Sequence, residues 1–80
     1  MKTVYLIRSI PNQHQRYVGL TSNLGDRLKE HYTGKSPHTS KHRPWRLAVA
    51  VLSEDSRRAA RFEQYLKSGS GRAFANRHFG

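Results

Sequence analysis

Two short runs rich in β-branched and aromatic residues stand on either side of a turn-forming segment near the N-terminus. Residues 3–9 and 16–20 are typical of strands, and the Pro11-Asn12-Gln13-His14 sequence between them is typical of a turn. This pattern predicts an antiparallel hairpin. If the loop is symmetric about its second residue, odd-numbered positions face odd-numbered positions. Tyr5 and Tyr17 then lie on one face of the sheet as diagonal neighbours.

A helix is predicted directly after the hairpin. The Thr21-Ser22-Asn23 sequence is a natural N-cap cluster, and Asp26 places a negative charge in the first turn. Gly34 is expected to end the helix. The apolar stripe of this helix is predicted to consist of Leu24, Leu28 and Tyr32.

A nearly continuous apolar run, residues 45–52, predicts a third strand, and its lack of alternation favours burial on both faces. Residues 53–55 are expected to cap a second helix that runs to about Lys67. The Ser68-Gly69-Ser70-Gly71 sequence stops that helix, and residues 72–78 could form one last short helix.

The element order ββαβα(α) predicts an α/β protein of the α+β type, in which helices flank a three-stranded antiparallel sheet within one domain, residues 1–80. Fifteen Lys+Arg face five Asp+Glu, and the net charge of +10 indicates a nucleic-acid partner. The chain has no cysteine, which excludes disulfides and thiolate metal sites. The apolar stretch after Met1 is short, so we expect no signal peptide, no membrane partner and a cytoplasmic location.

A carboxylate lies beside the apolar face of the second predicted helix. Ala59, Phe62 and Leu66 define that face, and Glu63 projects to its edge. Placing a carboxylate at the edge of a core costs free energy of desolvation unless the charge is paired or bound to a metal ion. Glu63 is therefore either a boundary residue paired with a nearby arginine or a metal ligand.

Arg27 and His31 share one edge of the apolar stripe of the first helix, because they are four residues apart. An arginine can hold a phosphate through two parallel hydrogen bonds, and a histidine can carry a proton. The alternative is a solvated helix flank. Together with Tyr5, Tyr17 and Glu63, however, these side chains suit metal-assisted hydrolysis of a phosphodiester.

Two tripeptides of the hairpin, Thr3-Val4-Tyr5 and Tyr17-Val18-Gly19, are followed in order by Arg27, His31 and Glu63. This series resembles the GIY-YIG nuclease superfamily, whose name comes from the two tripeptides. The segment 62–72 is similar to the tail of short stand-alone members, of the kind represented by the UvrC N-terminal and URI-type endonuclease domains. The likeness covers nearly the whole chain and implies the GIY-YIG fold.

The resemblance implies a one-metal, in-line attack of water on a phosphodiester. It assigns one ion, Mg²⁺ or Mn²⁺, to Glu63, and it assigns stabilisation of the phosphoryl oxygens to Arg27. Tyr17, with Tyr5 beside it, would orient or deprotonate the water, and His31 is the alternative proton acceptor. All five residues are therefore expected to be catalytic.

Some expected contacts rest on weaker parts of the likeness. Asn76 matches an asparagine that some members carry near the active site. Thr3 replaces the first glycine of GIY, a position that serves the backbone, and Leu20 replaces a lysine that some relatives carry after YIG. Lys29 or Lys35 would have to take over the role of that lysine. The predicted nucleic-acid contacts are Lys29, Lys35 and Arg43.

The polar segment 35–43 is expected to form a loop beside the site. His38 and His42 have the spacing of a zinc-ligand pair, but the loop has no acidic neighbours, and we favour a role for His38-Thr39 in shaping it. Trp45 follows Pro44 at a strand entrance and is expected to pack in the core rather than to stack on a base.

The predicted function is cleavage of DNA, favoured over RNA, with low sequence specificity and a place in repair or recombination. A larger protein partner could supply targeting, and no oligomeric state is indicated. The alternatives are a non-catalytic nucleic-acid-binding module of the same fold and a basic structural protein of a ribonucleoprotein. The joint presence of Tyr5, Tyr17, Arg27 and Glu63 favours the enzyme, because a degenerate member would be expected to have lost some of them.

Overall fold

The computed structural model describes residues 1–78 and has the element order ββαβαα. The strands are β1 (Lys2–Ser9), β2 (Arg16–Thr21) and β3 (Trp45–Ser53). The helices are α1 (Leu24–Thr33), α2 (Ser56–Lys67) and α3 (Gly69–His78), with a 3₁₀ turn at Ser40–His42. The strands form an antiparallel sheet in the order β2-β1-β3, which confirms the predicted α+β fold. The last two residues of the predicted domain lie outside the described residues.

β1 is the central strand, and all of it beyond Lys2 is buried. Its pairing with β2 places Tyr5 opposite Gly19 and Ile7 opposite Tyr17, so the loop is symmetric, as predicted. Tyr5 and Tyr17 are therefore diagonal neighbours on one face of the sheet, and the predicted hairpin register is confirmed.

β3 is an edge strand, so the prediction that it is buried on both faces is wrong. Leu47 and Val51 are each 37% exposed and Leu52 is 65% exposed. An unbroken apolar run fits a central strand better than an edge strand, but β1 carries a similar run at Val4–Ile7. β1 takes the central place because the hairpin fixes β2 on one side of it and β3 pairs on the other.

Helices cover both faces of the sheet. On one face, the buried Tyr5, Ile7 and Trp45 pack with half-buried Leu24 and Leu28 of α1. On the other face, the core comes from β1, β2, α2 and α3, and its buried members are Val4, Leu6, Val18, Ala59, Leu66 and Ala75. The predicted apolar face of α2 and the predicted burial of Trp45 are both confirmed.

The helix ends follow the predicted capping signals. Asn23 caps α1 by accepting a hydrogen bond from the Asp26 amide, and Gly34 ends the helix at φ 81°, where a side chain would be strained. Asp55 caps α2 by accepting from two backbone amides. Ser68 ends α2 and its hydroxyl accepts from Gly71, so α3 begins earlier than predicted, at Gly69.

One predicted member of the α1 stripe is wrong. Tyr32 is 46% exposed, whereas His31 is 2% exposed and takes the third position of the buried face after Leu24 and Leu28. Histidine can occupy that position because both of its ring nitrogens find partners. No helix within residues 1–78 is long and apolar enough to cross a membrane.

Candidate active site

A chain of buried hydrogen bonds lies between the sheet and α1. The Tyr5 hydroxyl lies 2.8 Å from His31 Nε2, and His31 Nδ1 lies 2.7 Å from the Thr39 hydroxyl. Tyr5 and Thr39 are fully buried and His31 nearly so. The Trp45 indole donates to the Thr39 carbonyl over 2.7 Å. The loop that carries Thr39 is therefore bonded to β3 as well as to α1. This arrangement holds the imidazole in one orientation.

Tyr17 completes an aromatic group around His31. The ring centroids of Tyr5 and Tyr17 are 6.3 Å apart, and the Tyr17 centroid is 5.1 Å from the imidazole. Tyr17 is half-buried, whereas Tyr5 has no exposed surface. The two motif tyrosines and His31 are thus brought together, as their predicted role requires. The alternative in which His31 lies on a solvated helix flank is wrong, because its ring is buried.

Arg27 lies at the rim of this group. Its side chain is 44% exposed and donates to Glu30 over 3.1 Å. An exposed ion pair of this kind contributes little and exchanges readily for another anion. Arg27 also interacts electrostatically with Tyr5, Tyr17 and His31, so its positive charge is close to all three rings. A guanidinium in that position can meet a phosphate approaching from solvent.

The buried pair Tyr5–His31 is held neutral. Burial, reinforced by Tyr17, raises the pKa of Tyr5 to about 12, although Arg27 acts in the opposite direction. Burial, and then the charge of Arg27, lowers the pKa of His31. At neutral pH Tyr5 therefore keeps its proton and His31 carries one proton on one ring nitrogen. Such a pair can donate and accept hydrogen bonds and can hold neighbouring side chains in position. Tyr5 is unsuited to be a general base.

The depressed pKa of His31 predicts an acid-side loss of stability. Below a pH of about 6.5, the ordinary value for histidine, the unfolded chain takes up a proton that the folded protein does not. The free energy of unfolding should therefore fall as the pH decreases through that value. Urea midpoints measured from about pH 7.5 to about pH 5 check this. His31→Gln, which keeps a polar group at the Nε2 position, should flatten the slope, and an equal slope in both proteins would contradict the assignment.

Thr39 is bonded to His31, although its only signal in the sequence is its place in a loop expected beside the site. Thr39→Val removes the hydroxyl without changing the shape and leaves a buried imidazole nitrogen without a partner. We expect a loss of about 1–3 kcal/mol in the free energy of unfolding by urea titration. Thr33→Val is the matched control, since the Thr33 hydroxyl bonds an exposed helix carbonyl. Equal stability of the two variants would show that the Thr39–His31 bond contributes nothing.

The absence of a side chain at Gly19 makes room for the Tyr5 ring against β2. The ring lies against the β2 backbone at its cross-strand partner, and a Cβ built on Gly19 would overlap the ring and its hydroxyl. The glycine of the second tripeptide therefore makes room for the tyrosine of the first. The contact between Gly19 and Tyr5 could not be predicted from the spacing of the two tripeptides, because it depends on the register of β1 against β2.

Glu63 lies apart from this hydrogen-bonded group. It belongs to α2, which packs on the other face of the sheet, and its side chain is 15% exposed. Its partners are the Lys67 ammonium, at 3.0 Å, and the Gln64 amide. The boundary position is as predicted, but the ion-pair partner is a lysine rather than an arginine.

Residues 1–78 contain no group of three or more His, Cys, Asp or Glu side chains placed to hold a metal ion. Glu63 offers one hard carboxylate, and its ion-pair partner within residues 1–78 is the half-exposed Lys67, four residues further along the same helix. That donor fits Mg²⁺ or Mn²⁺, because such ions keep several waters and complete their shells with substrate oxygens. It would not fit zinc, which takes three or four protein ligands.

The other predicted contacts lie outside the aromatic group. Asn76 of α3 accepts a hydrogen bond from Arg16. Arg43 donates to the Ser40 carbonyl and lies against Gly34. Lys29 and Lys35 are exposed and line a shallow groove of about 250 Å³ together with Asp26, Glu30 and Thr33. His42 packs edge-on against Trp45.

Comparison with known proteins gives one family. The model of the GIY-YIG catalytic domain matches residues 1–77, which is almost the entire chain. No curated protein gives a significant match.

Proposed function

The chain belongs to the GIY-YIG catalytic domain family, and on that premise we propose that it is a divalent-metal-dependent endonuclease that hydrolyses phosphodiester bonds in DNA. The family is one of nucleases, and its members generally depend on a divalent metal and act on nucleic acid. The observation that carries the proposal is the buried Tyr5–His31–Thr39 chain with Tyr17 and Arg27 at its open side.

Tyr17 is the phenol that reaches the substrate in this proposal. It is half-buried beside His31, while Tyr5 has no exposed surface and a raised pKa. Tyr5, His31 and Thr39 then act as positioning residues that hold the Tyr17 ring and its hydroxyl in place. Tyr17 orients the attacking water through its hydroxyl or, when ionised beside the positive charge of Arg27, takes the proton of the water as a phenolate. Both ring nitrogens of His31 are already bonded, which makes it the weaker candidate for the base.

Arg27 stabilises the negative charge that develops on the phosphoryl oxygens. Its exposed bond to Glu30 can be exchanged for a bond to phosphate at little cost. Glu63 would hold the metal ion. When bound, Mg²⁺ or Mn²⁺ polarises the phosphate and stabilises the leaving oxygen.

The proposed substrate is DNA rather than RNA, cut with low sequence specificity. A net charge of +10 attracts any polyanion by releasing condensed counterions, a force that does not read sequence. Binding should therefore weaken steeply with salt. A role in DNA repair or recombination, targeting by a larger protein and a cytoplasmic location stay predictions.

The test uses the whole chain with supercoiled DNA, branched DNA and RNA, each with Mg²⁺, Mn²⁺ or EDTA, over a salt series. We expect cleavage of DNA in either metal, none in EDTA, and slower cleavage of RNA. Faster cleavage of RNA would overturn the DNA assignment. Binding to all three substrates without metal-dependent cleavage of any would instead support a non-catalytic binding module of the same fold.

A further inference from the structure

Both oxygens of the Glu63 carboxylate are contacted by side chains of its own helix. The Lys67 ammonium lies 3.0 Å from Oε2, and the Gln64 amide donates to Oε1 over 3.4 Å. The Glu63 side chain is 15% exposed, whereas that of Lys67 is 49% exposed and has a flexible four-carbon stem. Lys67 is therefore the partner that can leave the ion pair, because Glu63 stays at the edge of the core.

A metal ion at Glu63 competes with the Lys67 ammonium for the carboxylate. Mg²⁺ binds a carboxylate oxygen at about 2.0–2.1 Å and keeps several waters around itself. A divalent ion also repels an ammonium twice as strongly as a single charge does at the same distance. Because the two oxygens belong to one carboxylate, this repulsion acts whichever of them the ion takes. Metal binding therefore breaks the ion pair and releases Lys67.

The surroundings of Lys67 suit an anion once the ion pair is broken. Lys67 is the last residue of α2, and α3 begins two residues later, at Gly69. The N-terminus of a helix carries a positive partial charge that attracts phosphate. Residues 67–70 are exposed, so a polyanion can reach both the ammonium and this helix end from solvent.

We propose that a metal ion displaces Lys67 from Glu63 and that the freed ammonium then binds a phosphate of the nucleic acid. This rests on the proposed function, because it takes Glu63 as the metal ligand. The consequence is cooperative binding: the metal ion frees a phosphate contact, and the nucleic acid holds Lys67 away from the carboxylate. By linkage, each of the two ligands raises the affinity of the protein for the other by the same factor.

The binding of freed Lys67 to phosphate is tested without metal or cleavage, through the affinity for fluorescent single-stranded DNA in EDTA. Glu63→Gln removes the partner of Lys67, and Glu54→Gln removes the same charge from an exposed position before α2. We expect Glu63→Gln to bind DNA about two- to threefold more tightly than Glu54→Gln, with a salt slope larger by about one. In a Lys67→Gln background the two substitutions should have equal effects.

The comparison of backgrounds decides whether Lys67 is the cause. Equal DNA affinities of Glu63→Gln and Glu54→Gln with Lys67 present would overturn the proposal. A difference between them that survives Lys67→Gln would overturn it as well, because another group would then make the phosphate contact. Circular dichroism confirms that each variant is folded.

The competition between Lys67 and the metal ion is tested by Mn²⁺ titrations without DNA, followed by the relaxation of water protons. Lys67→Gln should bind Mn²⁺ about threefold more tightly than the wild type or better, because the competing charge is gone. Arg61→Gln removes the same charge from an exposed position of α2 that does not face Glu63, and its effect should be smaller than about 1.5-fold. Equal effects of the two variants would contradict the competition.

Glu63→Gln distinguishes a failure of this inference from a failure of the proposed function. If Glu63→Gln binds Mn²⁺ as well as the wild type does, the ion does not bind Glu63 and the metal assignment itself is wrong. If Glu63→Gln loses Mn²⁺ binding while Lys67→Gln binds like the wild type, Glu63 is the ligand and only the role of Lys67 is wrong.

Discussion

Glu63→Gln is expected to abolish metal-dependent cleavage while leaving the protein folded and bound to DNA. The change removes the proposed metal ligand and keeps the size of the side chain. A bound ion supplies several kcal/mol of charge stabilisation, so the single-turnover rate should fall at least about a thousandfold. Stability should change by less than about 1 kcal/mol, because the lost partner, Lys67, is half-exposed and an i,i+4 ion pair within one helix contributes only a few tenths of a kcal/mol. Affinity for DNA in EDTA should be unchanged or slightly higher, since a negative charge is lost.

Glu54→Gln is the matched control, because Glu54 is exposed and lies before α2. It makes the same chemical change and should cut DNA at the wild-type rate. Mn²⁺ titrations of both variants then report whether the loss belongs to the metal. Wild-type cleavage by folded Glu63→Gln would remove Glu63 from the metal site and return it to the boundary role that its position also suits.

Gly19→Ala is expected to cause a large loss of stability for the addition of a single methyl group. The added methyl group overlaps the Tyr5 ring, which has no room to move because it is fully buried and bonded to His31. Overpacking of this kind costs about 3 kcal/mol. In a domain of this size each kcal/mol lowers Tm by roughly 4–8 °C, so calorimetry should show a decrease of about 12 °C or more.

Gly25→Ala provides a control of opposite sign. Gly25 is exposed in α1, and an added Cβ meets only the Asn23 side-chain oxygen at an ordinary 3.7 Å. Alanine is favoured over glycine in a helix by about 0.5–1 kcal/mol, so Tm should rise slightly. If Gly19→Ala unfolds no earlier than the wild type, the tight contact between Tyr5 and β2 is not required for folding.

The elements defined by local signals could be predicted from the sequence. Asn23, Gly34 and Asp55 mark helix ends because capping depends only on a few neighbouring residues. The hairpin register followed from a short symmetric loop, and with it the proximity of Tyr5 and Tyr17.

Features that depend on distant partners could not be predicted. The apolar run of β3 predicted burial on both faces, but such a run does not show how many strands will pair with it, and β3 lies at the edge of the sheet. Tyr32 was preferred to His31 for the core because hydropathy ranks a phenol above an imidazole. The burial of His31 is made possible by Tyr5 and Thr39, which are 26 and 8 residues away along the chain.

The candidate site was predicted in part. Tyr5, Tyr17 and His31 do come together. Asn76, however, accepts a hydrogen bond from Arg16 on the opposite face of the sheet from the tyrosines. Strand register brings Arg8 opposite Arg16, a relation that cannot be read from their positions in the sequence.

The most direct test of the proposed site is the single-turnover rate of DNA cleavage by Tyr17→Phe. Phenylalanine keeps the ring that packs against His31 and removes only the hydroxyl proposed to act on water. Tyr32→Phe removes the same group from an exposed residue of α1 and serves as the control. We predict a loss of about 10²–10⁴-fold for Tyr17→Phe with DNA binding retained, and no change for Tyr32→Phe. A folded, DNA-bound Tyr17→Phe that cuts at the wild-type rate would contradict the account.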